Sequence, residues 1–209
     1  MSTRLVPPQN PRLPDPSRGV DAPYISALLN VLRLFFNQLQ RVVELVTGDN
    51  GLRFLQTPFA VFSSSVTQTA LVNTATLVQF ADVVRSNGVS VVSNTDITAA
   101  FTGFYTLNVS LRLANSSTAR VISVWLRVGG VDVAGSAREI PVGASAANGA
   151  FAQLSWLVPL TGGESVRVVW STPAVSVSLQ ALPTRSTPTR PAAPSATATI
   201  RLASAPLNE

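Results

Sequence analysis

The feature that most constrains this chain is a change of hydrophobic period part-way along it. From Tyr24 to Thr47 apolar residues recur at helical spacing, whereas beyond Thr57 they alternate one-for-one with polar residues. The first period builds an amphipathic helix and the second builds half-buried strands, so the chain predicts a mainly β protein with one helix ahead of its strands. Before the helix stand Pro7, Pro8, Pro11, Pro14, Pro16 and Pro23. Proline fixes φ and biases its predecessor toward extended geometry, so this stretch cannot be helical. The reading is an extended arm over residues 1–22, an amphipathic helix over 23–48, a hinge over 49–56 and a jelly-roll domain over 57–209. Such an arm is either a loose terminus or a strap that becomes ordered across a neighbouring subunit.

Asp21-Ala22-Pro23 suits a helix start, with proline in the first turn, and Gly48 supplies the stop. Ile25, Leu32, Leu39 and Val46 are spaced by sevens, and Leu28, Phe35 and Val42 fill the second seam position. Leu29, Phe36 and Val43 widen the stripe, while Arg33, Asn37, Gln40, Arg41 and Glu44 fall largely on the remaining surface. Arg33, Arg41 and Glu44 argue against a membrane span. Two arrangements fit: the helix folds back on its own sandwich, or it pairs with copies of itself or with a scaffold protein. The width of the stripe on a helix of about 37 Å favours the second. Ile25, Leu28, Leu32, Phe35, Phe36, Leu39, Val42 and Val46 are therefore the expected trimer or anchor contacts. Gly48-Asp49-Asn50-Gly51 is the expected hinge.

In the strand region Leu107, Val109, Leu111 and Leu113 face one way and Asn108, Ser110 and Arg112 the other. Ile122, Val124, Leu126 and Val128 repeat the pattern against Ser123, Trp125 and Arg127, and further strands follow at Leu154–Val158, Val166–Trp170, Val175–Ala181 and Ala198–Leu202. Turn signals at Asn87-Gly88, Gly129-Gly130, Asn148-Gly149 and Gly162-Gly163 separate them. Many short strands with such turns predict a β-sandwich, most simply a jelly roll. Trp125 points away from that core, which places it at a subunit interface or, as the sharper alternative, makes it a platform for a sugar. Val169 and Leu157 also fall outward, and together the three predict that the outer sheet is covered. Residues 182–195, with Arg185 and Arg190, read as a long surface loop and a candidate external contact.

Composition excludes most chemistry. The 209-residue chain has no cysteine and no histidine, which removes disulfides, thiolate metal sites and the commonest general base. Asp82, Asp96, Asp132, Glu139 and Glu164 sit in or beside expected turns, as solvated carboxylates do, and no run resembles a calcium loop. No cofactor, metal site or catalytic residue is expected. Charged residues make up only 12% of the chain, against about a quarter in soluble domains, which suggests surface buried in a permanent assembly. The net charge of +5 comes from scattered arginines with no basic run, so nucleic acid is not the expected partner. Residues 1–19 show no secretory signal, and assembly in a cytoplasm is expected.

Gly103-Phe104-Tyr105, Val124-Trp125-Leu126-Arg127-Val128-Gly129-Gly130, the run from Val158 to Val166 and Ala198-Thr199-Ile200-Arg201-Leu202 carry a family resemblance. Together they resemble the globular head shared by the first complement component and tumour necrosis factor. The resemblance implies a ten-stranded jelly roll forming a tight homotrimer around an apolar axis. Gly129-Gly130 replaces the commoner Asn-Gly, and the cysteines and calcium-binding acids of complement heads are missing. Upstream, Thr57-Pro58-Phe59-Ala60-Val61-Phe62, Thr67-Gln68-Thr69, Phe80 and Asn87-Gly88-Val89-Ser90 are similar to versions found in virion proteins of tailed bacteriophages. Asn37-Gln38-Leu39 and Gly48-Asp49-Asn50-Gly51 fit the same pattern. The resemblance implies a virion structural protein, a trimeric capsid decoration or cement protein anchored by its arm and helix. The alternatives are a tail fibre or adaptor, or a trimer that binds a host-receptor glycan. The expected partners are copies of the chain, a major capsid protein or tail and portal-vertex proteins, and a host surface glycan under the last alternative.

Overall fold

The computed structural model describes residues 22–47, 57–144 and 150–204. The chain divides into two compact units, one ending at Thr57 and the other beginning at Pro58. The first contains α1 (Ala22–Thr47), a helix that fills the described part of the expected 23–48. The arm expected over residues 1–22 lies outside the described residues apart from Ala22. The hinge over 49–56 and the turn at Asn148-Gly149 lie outside them too.

The second unit is built of strands. Eight of them form its frame: β1 (Phe59–Ser64), β6 (Asp96–Ala99), β7 (Gly103–Asn115), β8 (Arg120–Val128), β10 (Arg138–Val142), β11 (Ala150–Leu160), β12 (Ser165–Ser171) and β16 (Ala196–Ser204). Their antiparallel pairing is nested. β1 pairs with β16, β6 with β12, β7 with β11, and β8 with β10. A long ribbon folded over on itself gives that nesting, which is the jelly roll expected from the alternating pattern.

One sheet runs β11–β7–β16–β1 and adds β4 (Asp82–Asn87) beside β1. β13 (Val177–Leu179) and then β2 (Gln68–Thr69) continue it from the far end of β7. The other runs β10–β8–β12–β6 and adds β5 (Val89–Val92) beside β6. Two short strands, β9 (Val131–Asp132) on β8 and β3 (Thr76–Leu77) on β12, complete it. The remaining β14 (Arg185–Ser186) and β15 (Thr189–Arg190) form a separate two-stranded ribbon inside the segment expected to be a loop.

The inward faces are those the period predicts. Tyr105, Leu107, Leu111 and Leu113 of β7 meet Ile122, Val124 and Leu126 of β8 and Val166, Val168 and Trp170 of β12 in one buried cluster. Each such side chain contributes on the order of 1.5–3 kcal/mol, so the sandwich carries its own stability. Tyr105 Oη donates to Phe101 O at 2.8 Å and Trp156 Nε1 to Ser136 O at 2.9 Å, whereas Trp170 Nε1 is buried with no hydrogen-bond partner. At the Asn87-Gly88 turn Gly88 has φ +65°, and a Cβ there would stand 2.9 Å from Phe101 Cε2. Only glycine meets both conditions without a shift.

One strand is shorter than its sequence suggests. Val175 falls outside β13 because Thr172 Oγ1 bonds the main chain of Ala174, and Val177 N–H closes a turn on Ala174 O; past the other end of β13, Ala181 N–H donates to Thr67 Oγ1. That turn leaves Val175 exposed.

Candidate functional site

With neither histidine nor cysteine in the chain, the places to look for function are surfaces. Among the described residues no group of three or more acidic side chains could hold a metal ion. Three surfaces carry the residues singled out in the sequence.

The first is the stripe of α1. No described side chain of this helix is buried. Leu29 and Phe36 are 55% and 59% exposed, Ile25, Leu39 and Val43 are exposed, and Leu28, Leu32, Phe35 and Val42 are intermediate. Val46 lies beyond the described side chains. The Phe35 and Phe36 rings meet edge-on with centroids 5.8 Å apart, a favourable aromatic geometry that stiffens the middle of the stripe. Leu34, missed by the heptad reading, is 64% exposed and projects about 180° from Ile25 around the helix. No helix among the described residues is long and apolar enough to cross a membrane.

The second surface is the outer face of the sheet containing β8 and β12. Trp125 lies there, half-buried, with its indole N–H donating to Asp132 Oδ1 at 2.9 Å; Arg127 Nε donates to the same oxygen at 2.8 Å. Directly opposite Arg127 on β12 stands Arg167, held by a bidentate pair to Asp96 at 2.6 Å for both bonds. Two like charges in register repel, and each arginine is neutralised by its own aspartate. The Arg127 bond, then the Trp125 bond, hold Asp132 below the ordinary carboxylate range. The Arg167 bond does the same for Asp96 against the opposing effect of burial, and Asp96 in turn raises Arg167. Asp96 and Asp132 are thus structural partners rather than freely solvated carboxylates. Val169 needs no neighbour to cover it. It is fully buried, registered between Trp125 on β8 and Leu77 on β3.

Leu157 belongs elsewhere, and the structure separates it from Trp125. It lies 63% exposed on β11, in the opposite sheet. On that third surface register places Leu157 beside Thr106, then Arg201, then Phe59. Phe104 is paired with Pro159 one row above, and Phe151 with Arg112 at the other end. The middle rows are small and polar: Asn108, Ser110, Thr197 and Thr199. Arg112 lays its guanidinium 5.1 Å from the centroid of the Phe151 ring, and its Nε is buried with no hydrogen-bond partner. The outward direction of Leu157, Asn108, Ser110 and Arg112 was legible in the sequence; their meeting with Arg201 and Phe59 comes through strand order.

Arg185 and Arg190 meet on the ribbon β14–β15 as direct cross-strand partners. The sequence placed them in one segment but not in register.

No family model matches the chain, and no curated protein matches it. Among solved structures it is similar to the globular domain of zebrafish complement 1qA protein, with 13% identity, 72% of this chain and 100% of that chain covered, and a TM-score of 0.46. It is also similar to the Eiger tumour necrosis factor of S. frugiperda, with 14% identity, 73% and 98% covered, and a TM-score of 0.47.

Proposed function

We propose that this protein is a structural component of a tailed-bacteriophage virion that works by contact rather than turnover. It is a homotrimeric capsid decoration or cement protein, held to the particle by its N-terminal arm and helix. The observation that carries the reading is the exposed apolar stripe of α1. A helix with Leu29 and Phe36 more than half exposed gains its burial from association. The mixed apolar and small-polar face of β11, β7, β16 and β1 supports self-association of the sandwich. A face with aromatic residues at its margin suits packing against copies of itself. Many modest contacts repeated over a symmetric shell give cementing its strength.

Two measurements test the proposal. Sedimentation equilibrium of the full chain is expected to return the mass of three chains, and a single-chain mass overturns the trimer. Particles assembled without the protein are expected to release DNA at a lower temperature than complete ones. Equal heat stability removes the cement role, and a reconstruction of the particle placing the protein on the tail converts the reading to the fibre or adaptor alternative.

A further inference from the structure

The chain between β13 and β16 is held like a built element rather than a loop. β13 and β16 occupy consecutive stretches of the same edge of β7, around Leu113–Asn115 and Phe104–Leu111. Both ends of the intervening segment bond one residue: Gln180 N–H donates to Arg112 O at 2.8 Å, and Arg112 N–H donates to Ser195 O at 2.9 Å. The segment is therefore extruded from a single strand line at one fixed point. It then keeps a single antiparallel register outward. Leu182 and Ala193 exchange both main-chain bonds at 2.9 Å, and farther out Arg185 pairs with Arg190 and Ser186 with Thr189. Pro183 and Pro191 interrupt the ladder because they have no N–H to give.

That register has an electrostatic consequence. Residues directly opposite on an antiparallel ribbon project to the same side with Cβ atoms about 4.5–5.5 Å apart, so the two guanidiniums share one face and repel. Among the described residues no carboxylate pairs with either; Arg190 Nη1 donates to Pro191 O at 3.2 Å, and Arg185 is exposed. The contrast lies within the same molecule, where the cross-strand pair Arg127 and Arg167 has one aspartate for each arginine. An oxyanion bridging Arg185 and Arg190 would supply the missing charge, and the planar fork of arginine is suited to carboxylate and sulfate.

We propose that this ribbon is a clamp for a carboxylate- or sulfate-bearing polysaccharide. One oxyanion sits between Arg185 and Arg190, which leave the ribbon on the same face. Nucleic acid fits less well, because strand binding needs a succession of phosphate contacts and stacking aromatics. The ribbon offers two cations and no aromatic ring. The clamp does not depend on the virion reading, since both residues belong to the sandwich unit of a single chain.

The test measures binding of the full chain to immobilised polygalacturonate, dextran sulfate, neutral dextran and a single-stranded oligonucleotide at one salt concentration. Arg185→Gln with Arg190→Gln is expected to weaken polyanion binding by at least about tenfold, since each charge-assisted bond is worth about that factor or more. Arg85→Gln with Arg120→Gln removes the same charge from other exposed positions and is expected to cost less than about twofold. Arg185→Lys with Arg190→Lys keeps the charge and loses the fork, so an intermediate loss is expected. Ribbon-dependent binding to polygalacturonate alone, dextran sulfate alone or both supports the clamp and identifies its oxyanion. The proposal is overturned by absence of polyanion binding, by equal loss in the Arg85/Arg120 control, or by equal capture of neutral dextran. Oligonucleotide binding as tight and as ribbon-dependent as that of the polysaccharides also overturns it, in favour of nucleic acid.

Discussion

Helix α1 and strand β7 are both rich in large apolar residues, and they treat them in opposite ways. On β7, Leu107, Leu111 and Leu113 are buried by strands drawn from distant parts of the chain, while on α1 Leu29, Phe36 and Val43 stay exposed. Among the described residues the helix unit contains no second element to close over the stripe. A strand's inward face is satisfied inside one chain because nested pairing always brings a partner sheet. A lone helix has no such guarantee. The sandwich is therefore the source of stability, and the helix is where association has something to gain.

The largest test of that contrast is in the core. Phe62→Ala removes a fully buried ring and is expected to cost about 3–5 kcal/mol, read as a shift in the denaturant midpoint of the sandwich. The paired change Leu32→Asp with Phe35→Asp on α1 is expected to leave that midpoint within about 0.5 kcal/mol while abolishing attachment of the added protein to particles that lack it. If the helix variant lowered the midpoint as much as the core variant, the separation of roles would fail. Deleting residues 1–57 sharpens the same point: the remaining chain is expected to melt cooperatively with its near-ultraviolet signature intact.

Smaller effects come from the outer face. Trp125→Phe keeps an aromatic ring and loses the indole donor to Asp132, which is expected to lower the denaturant midpoint only slightly because water replaces an exposed bond. A loss of self-association as well would place Trp125 at an interface between copies, as the sequence reading expects. The acid limb is smaller still. The folded-state values of Asp96 and Asp132 lie below the ordinary carboxylate value, so their contribution is present above about pH 4 and disappears as pH falls through the lowered values. Asp96→Asn is expected to flatten the fall in stability below about pH 4, by a few tenths of a kcal/mol for a pair at the surface. An unchanged acid limb would remove Asp96 from that account.

What the residue order determined by itself is local: the switch of period, the inward positions from Leu107 to Leu113, the turn at Asn87-Gly88 and the apolar stripe of α1. Each depends on neighbours a few residues apart, and side-chain direction follows directly from helix and strand geometry. Tertiary structure decided whatever requires two distant segments to meet. Val169 looks outward by alternation, yet β3 and Trp125 enclose it; Leu157 and Trp125 look alike by pattern, yet they occupy opposite sheets. Arg185 and Arg190 became a pair only because both feet of their segment are fastened to Arg112. Alternation gives a side chain's direction relative to its own strand, while the pairing of strands distant in sequence decides what stands opposite it.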